Sequence, residues 1–268
     1  MSRRRRFTPV ALVLPLLFVG LAAGAEELRQ EFTESYDIGR GAIVSLRNIN
    51  GSIQISSWDG STVQVEATKI VKTMGRERAE LAMEELLIEV ETTADGLDIR
   101  TRHPVSSSGV VNWILGRQVQ SKVSFRIRVP ADAGVRAQTV NGNVEISSVG
   151  GRIEVTTTNG QIRIIEASGA ATATTTNGNI RADFHDLTAA GDMSFRTMNG
   201  GITVSLPSDL GWRVDASTVN GAVSSDFTLT SGQPSSSGKR LRGEINGGGD
   251  ELNLRTVNGS IQLRRGRG

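Results

Sequence analysis

The sequence predicts an all-β chain wound as a parallel β-helix or β-solenoid, with one short helix in its N-terminal part. The first observation behind this is a recurring phrase, Thr-x-Asn-Gly-x-Ile/Val. It places Asn141-Gly142, Asn159-Gly160, Asn177-Gly178, Asn199-Gly200, Asn220-Gly221 and Asn258-Gly259 in equivalent positions, and Asn50-Gly51 forms a divergent early copy. Recurrence at a period of about 20 residues marks a repeat architecture. The second observation is period-two patterning after each Asn-Gly. Val144 and Ile146, Ile162 and Ile164, and Ile202 and Val204 alternate with Glu145, Arg163 and Thr203, as in a strand with one buried face. The third is another glycine midway between the early copies, Gly151 and Gly169, which divides each unit into two strands and two corners.

Asn and Gly tolerate a left-handed backbone, so each Asn-Gly is expected to mark a corner with positive φ. An antiparallel meander of Asn-Gly hairpins also fits this local signal. The solenoid fits better, because Asn-Gly recurs only at alternate corners and like residues fall in register from unit to unit, so that the asparagines would form a ladder of amides. Stacked at ~4.8 Å per coil, six coils would make a rod of about 30 Å.

Residues 1–25 read as a secretory signal peptide: Arg3 to Arg6 form a basic start, an apolar run follows, and Ala23-Gly24-Ala25 is a small-residue cleavage site, with cleavage expected after Ala25. The apolar run is shorter than the roughly 20 residues of a membrane span, and no second one follows, so no integral span is expected in the mature chain. There is no cysteine, which excludes disulfides, thiolate metal sites and a lipoprotein anchor. Removing the signal takes four of the 30 basic residues and none of the 28 acidic ones, leaving 26 against 28, a net charge of −2. A nucleic-acid partner is not expected of such a chain.

Residues 26–130 form a β-rich part expected to cap the solenoid, and residues 131–268 carry the Asn-Gly repeats. Glu26 to Tyr36 reads as a polar lead-in. Strand patterning then covers Ala42–Leu46, Ser52–Ile55 and Thr62–Thr68. Arg76 to Leu87 spaces Ala79, Leu81, Ala82, Leu86 and Leu87 as one helical face. Val123–Val129 is a strand ending at Pro130, and Ser231 to Gly249 is a polar excursion within the repeats. An open solenoid end invites aggregation, and Arg264, Arg265 and Arg267 are placed to guard the C-terminal one.

These motifs resemble the DUF4097 proteins, a widespread bacterial family of unknown function whose members are often labelled candidate adhesins. The matching features are Gly51-Ser-Ile-Gln-Ile with Trp58-Asp-Gly and Val63-Gln-Val, the Arg/Glu-rich helix, the strand closing in Val129-Pro130, the repeats, and the terminal Leu-Arg-Thr-Val-Asn-Gly-Ser-Ile. The resemblance extends over nearly all of residues 40 to 265. It implies a right-handed β-helix and brings no catalytic residues with it.

Chemistry-bearing clusters are few. Asp183, His185 and Asp186 sit where the repeat spacing widens and could hold a divalent cation or act as acid and base; the plain alternative is a solvated loop tip. Trp113, among Val110, Val111, Ile114 and Leu115, could form an apolar binding patch or fold over a solenoid end. Trp58 and Trp212 could stack on sugars or pack. With two histidines, no cysteine, no phosphate loop and no nucleophile motif, catalysis is not expected, nor is a cofactor. The expectation is an exported, non-catalytic, adhesin-like module of the periplasm or cell surface, whose partner is an envelope polysaccharide or an envelope protein. A polysaccharide-active enzyme and a structural or signalling envelope module are the alternatives.

Overall fold

The computed structural model describes residues 17–18, 25–104, 119–185, 187, 191–230 and 238–266. Two mixed sheets face each other, and the strand patterning read from the sequence is what joins them. In each repeat a strand of one sheet runs to the Asn-Gly corner, turns, and continues as a strand of the other. Thus Ile153–Asn159 leads to Ile162–Ala167, and Ala171–Asn177 to Ile180–Phe184. Within each sheet, successive repeats pair parallel and in register: Ile153, Val155 and Thr157 stand opposite Ala171, Ala173 and Thr175. Buried residues alternate with outward ones along the repeat strands, the short edge strand Val223–Ser225 excepted, so the core is a narrow slab between the sheets filled mainly by Val, Ile, Leu and Ala. Where the coil 171–184 turns the small Ala171, Ala173 and Ala182 inward beside Ile180, the space is taken by Phe195, opposite Ala173, and by Phe184 of the same coil. The two rings meet edge to face at 6.2 Å across the slab.

The coils are not stacked in chain order. In the sheet that contains Ile153–Asn159, the strand beyond Met193–Asn199 is Asp250–Asn258, and only then comes Trp212–Asn220. The opposite sheet repeats this order, with Ile261–Arg265 between Ile202–Leu206 and Val223–Ser225. The last coil of the sequence is therefore an interior coil. At the other end, Ile43–Arg47 and Ile53–Trp58 pair directly with the first downstream repeat, and Gly96–Arg102 and Gln120–Pro130 lie outside them.

Several expectations need correction. Glu26 to Tyr36 is no lead-in: Ala25–Asp37 is a 13-residue strand, antiparallel to Thr62–Met74 along its whole length. Arg264 and Arg265 guard no end, because their strand is paired with Ile202–Leu206 on one side and with Val223–Ser225 on the other; Arg267 lies outside the described residues. The polar excursion contains a further strand, Arg240–Ile245, which runs antiparallel to Trp212–Asn220 and closes that edge. The helix spans Arg76–Glu85, and it buries Ala79, Ala82 and Met83 against the strands Thr62–Met74 and Ala25–Asp37. Leu81 and Leu87 face solvent, at 57% and 41% exposure, so the helical face read from the sequence was rotated away from them.

Candidate interaction surface

The Thr-x-Asn-Gly phrase assigns one task to each residue at the corner. The threonine hydroxyl points inward and donates to the glycine carbonyl of the adjacent coil: Thr175 to Gly160 at 3.1 Å, Thr197 to Gly178 at 2.9 Å, Thr256 to Gly200 at 2.8 Å and Thr218 to Gly259 at 2.8 Å. A carbonyl buried at a corner would otherwise lack a partner. The asparagines form the amide ladder expected from the repeat. It runs through Asn50, Asn141, Asn159, Asn177, Asn199, Asn258 and Asn220, each side-chain amide after Asn50 donating to the side-chain carbonyl of the asparagine before it at 2.7 to 2.8 Å.

The glycines are there for close approach, and the expectation of positive φ at each corner holds at only three of them, Gly51 (φ 130°), Gly178 (φ 159°) and Gly259 (φ 154°). None of the ladder asparagines has positive φ, and Gly142, Gly160, Gly200 and Gly221 lie outside the left-handed region. A Cβ on Gly160 would stand 2.0 Å from the carbonyl oxygen of Gly142, and the same clash recurs along the stack. Non-glycine residues with positive φ occur at the opposite corner, at Ser148 (φ 57°) and Glu166 (φ 51°).

The x position of the phrase points outward beside the ladder. In spatial order this row reads Ile49, Val140, Thr158, Thr176, Met198, Val257 and Val219, and its five apolar members are 38% to 56% exposed. Two residues earlier on the same face runs a row of Arg47, Gln138, Thr156, Thr174, Arg196, Arg255 and Ser217. Two earlier again come Ser45, Arg136, Glu154, Thr172, Ser194, Asn253 and Asp215. Here Arg136 and Glu154, on neighbouring coils, form an ion pair at 2.9 Å. The outer face of the other sheet has its own pairs, Arg163 with Glu145 at 3.4 Å and Arg181 with Asp183 at 2.9 Å.

Asp183 therefore lies in a strand, where Arg181 and the Ser205 hydroxyl, at 2.7 Å, occupy its two oxygens. His185 is exposed just beyond that strand. Asp186 and Trp113 lie outside the described residues. Among those described, no group of three His, Asp or Glu side chains could hold a metal ion. Asp192, close in sequence to that cluster, has another task. Its carboxylate accepts the Glu251 N–H at 2.9 Å while Asp250 accepts the Gly191 N–H at 2.8 Å, a reciprocal clip on the interior coil. Trp212 is buried, and Trp58 donates its indole N–H to the Thr62 carbonyl at 2.9 Å with its ring against Gly60.

One groove of about 820 Å³ opens where the ladder begins, lined by Glu27, Asn50, Lys72, His103, Ser121 and Lys122 among others. His103 Nδ1 lies 2.8 Å from the Ser121 hydroxyl, and burial holds its pKa below the usual imidazole value. No helix among the described residues is long and apolar enough to cross a membrane.

A family model described as Toastrack DUF4097 matches residues 133–264. Among solved structures, the chain is similar to a proposed cell adhesion protein from Clostridium sporogenes, at 12% identity over 88% of this chain and 99% of that one, with a TM-score of 0.43. It is similar to a proposed adhesin from Bacteroides fragilis, at 12% identity over 87% and 96% of the two chains and a TM-score of 0.43. A proposed adhesin from Parabacteroides distasonis gives 11% identity, the same coverages and a TM-score of 0.24. No curated protein matches the sequence. The Toastrack DUF4097 match thus falls on the repeat region, residues 133–264, which carries the Thr-x-Asn-Gly corners.

Proposed function

We propose that the chain is an exported, non-catalytic, adhesin-like module that presents the outer face of a right-handed β-solenoid to an envelope polysaccharide or an envelope protein. The observation that carries this reading is the set of outward rows in register from coil to coil, held on a corner fixed by threonine, asparagine and glycine at each step. Such a face is rigid before any partner arrives, so little ordering cost is left for binding. The right-handed sense is supported by the near-universal hand of crossovers between parallel strands of one sheet. Export follows from the signal-like residues 1–25, with removal after Ala25, and leaves the protein in the periplasm or at the cell surface. Residues 26–130 act as the capping part and residues 131–268 as the repeat part of the same module.

The test is retention of purified protein on a panel of envelope polysaccharides and envelope protein fractions, with release of new chain ends assayed in the same samples. Retention without cleavage, unchanged by calcium, is expected. Cleavage abolished by His185→Ala would overturn the non-catalytic reading. Loss of retention in Trp113→Ala alone would move the contact from the repeat face to that segment.

A further inference from the structure

We propose that the repeat face carries a site for a linear acidic polysaccharide, laid along the solenoid axis over the strands Met193–Asn199, Asp250–Asn258 and Trp212–Asn220. This rests on the interaction reading above and names its ligand class.

The central observation is a pair of like charges. Arg196 and Arg255 stand directly opposite each other on neighbouring parallel strands, both exposed. At a strand spacing of ~4.8 Å two guanidinium groups repel, and directly opposed like charges weaken a sheet. Arginines also stand opposite each other at Arg163 and Arg181 and at Arg47 and Arg100, but there each has a carboxylate beside it: Glu145 for Arg163, Asp183 for Arg181, and Asp98 for Arg47 and Arg100. Neither Arg196 nor Arg255 has an ion-pair partner among the described residues. Beyond Ser217 the same row ends in Arg240, which is paired with Asp215 at 3.4 Å. The row thus presents cationic groups at one and at two strand spacings.

Beside it runs an apolar row. Met198, Val257 and Val219 are 52%, 38% and 56% exposed, on the three strands of the site. Each lies two residues beyond Arg196, Arg255 or Ser217 and so shares their face. On the other side of the arginines stand Ser194, Asn253 and Asp215, the last held in an ion pair by Arg240 at 3.4 Å. Charge, then, is flanked by an apolar strip on one side and, on the other, by a hydroxyl, an amide and a carboxylate already neutralised by Arg240.

A chain of uronic acid residues supplies the complement of all three. Its carboxylates suit the arginine forks, the C–H faces of its rings suit methionine and valine, and its hydroxyls suit Ser194, Asn253 and Thr174. Its short repeat lets successive charges meet successive coils. A peptide strand added by β-augmentation would need an open sheet edge, whereas the two strands bearing the arginines are paired on both sides. A lipid surface would want an apolar area broader than one row of three side chains, which here is bordered by the amide ladder.

The test uses the purified protein with polygalacturonate as the acidic probe. Dextran, phosphatidylglycerol vesicles and polyglutamate serve as comparisons, and the envelope panel is run alongside. Polygalacturonate should bind best, more weakly as salt rises. Arg196→Gln with Arg255→Gln should weaken it about tenfold or more, while leaving thermal stability unchanged or higher. Met198→Ser with Val219→Ser should also weaken it. Arg163→Gln with Arg181→Gln, on the opposite sheet, should leave it unaltered. Polygalacturonate binding that survives the double arginine change, or tighter binding to vesicles or polyglutamate, overturns the site. Retention of envelope material that is indifferent to these arginines overturns it while sparing the broader interaction reading. Retention of nothing overturns both.

Discussion

Replacing Gly160 by alanine tests whether the repeat glycines are present for close approach of neighbouring coils. The added Cβ would stand 2.0 Å from the Gly142 carbonyl oxygen, 2.6 Å from its carbon and 3.1 Å from the Asn143 nitrogen, all of them backbone atoms. No side chain can move aside, so the two coils must part at this corner by roughly 1 Å or more to restore ordinary contact. Four hydrogen bonds bridge the gap. Gly142 N–H donates to the Asn159 carbonyl at 3.0 Å, the Thr157 hydroxyl to the Gly142 carbonyl at 3.2 Å, the Asn159 amide to Asn141 at 2.8 Å and Gln161 N–H to Asn143 at 2.9 Å. Losing two or three of them at about 1 kcal/mol each, against a gain of about 0.5–1 kcal/mol from a less flexible unfolded chain, leaves a net loss of about 2 kcal/mol. The control is Gly39→Ala, where nothing lies within 4 Å of the new methyl and φ is not left-handed; it should change stability by no more than about 0.5 kcal/mol. Urea unfolding gives the two midpoints, and hydrogen exchange at Gly142 and Val144 localises the damage. Equal stability of the two variants would refute close approach as the reason for glycine.

Phe195 is fully buried and meets Phe184 across the slab, so Phe195→Ala should cost about 3–5 kcal/mol in urea unfolding. Deleting residues 250–268 removes an interior coil and bares the edges of Met193–Asn199 and Trp212–Asn220; light scattering should then show self-association that the whole chain lacks. Burial depresses the His103 pKa, so the unfolded state binds more protons below the ordinary histidine value of about 6.5. The melting temperature should therefore fall as pH drops from 7 toward 5, and His103→Gln should reduce that fall.

How much of this was legible in the sequence depended on whether a residue's task was local. The corner phrase was, because threonine, asparagine and glycine act on the adjacent coil in the same way at every step, and repetition displays the task. The φ of that corner is only partly legible, positive at Gly51, Gly178 and Gly259 and not at Gly142, Gly160, Gly200 or Gly221, because glycine serves two needs, a left-handed backbone and the absence of a Cβ, which composition does not distinguish. The strand Ala25–Asp37 was hidden by its glutamates, which lie along an outer strand with little apolar alternation to announce it. Leu81 was placed on the wrong side of the helix because Met83 fills the inward position, and spacing alone fits both faces.

Coil order was illegible for a deeper reason. Asn258 donates to Asn199 at 2.7 Å and accepts from Asn220 at 2.8 Å, and the corner would look the same if Asn220 followed Asn199 directly. A repeat that makes every coil an acceptable neighbour of every other leaves no local signal for which one comes next. The signal that remains lies outside the phrase, in the Asp192 and Asp250 carboxylates that bond each other's coils and that recur in no other repeat. The inserted order also decides what the outer face offers. Arg196 and Arg255 are distant in the chain and become neighbours only because the last coil sits beside the coil that starts at Met193. With the coils in chain order, Arg196 would face Ser217, and no opposed arginine pair would exist at this place. The repulsion between the two arginines opposes insertion of the last coil. An anion bridging them relieves that repulsion, so by linkage it favours the inserted state in proportion to its occupancy.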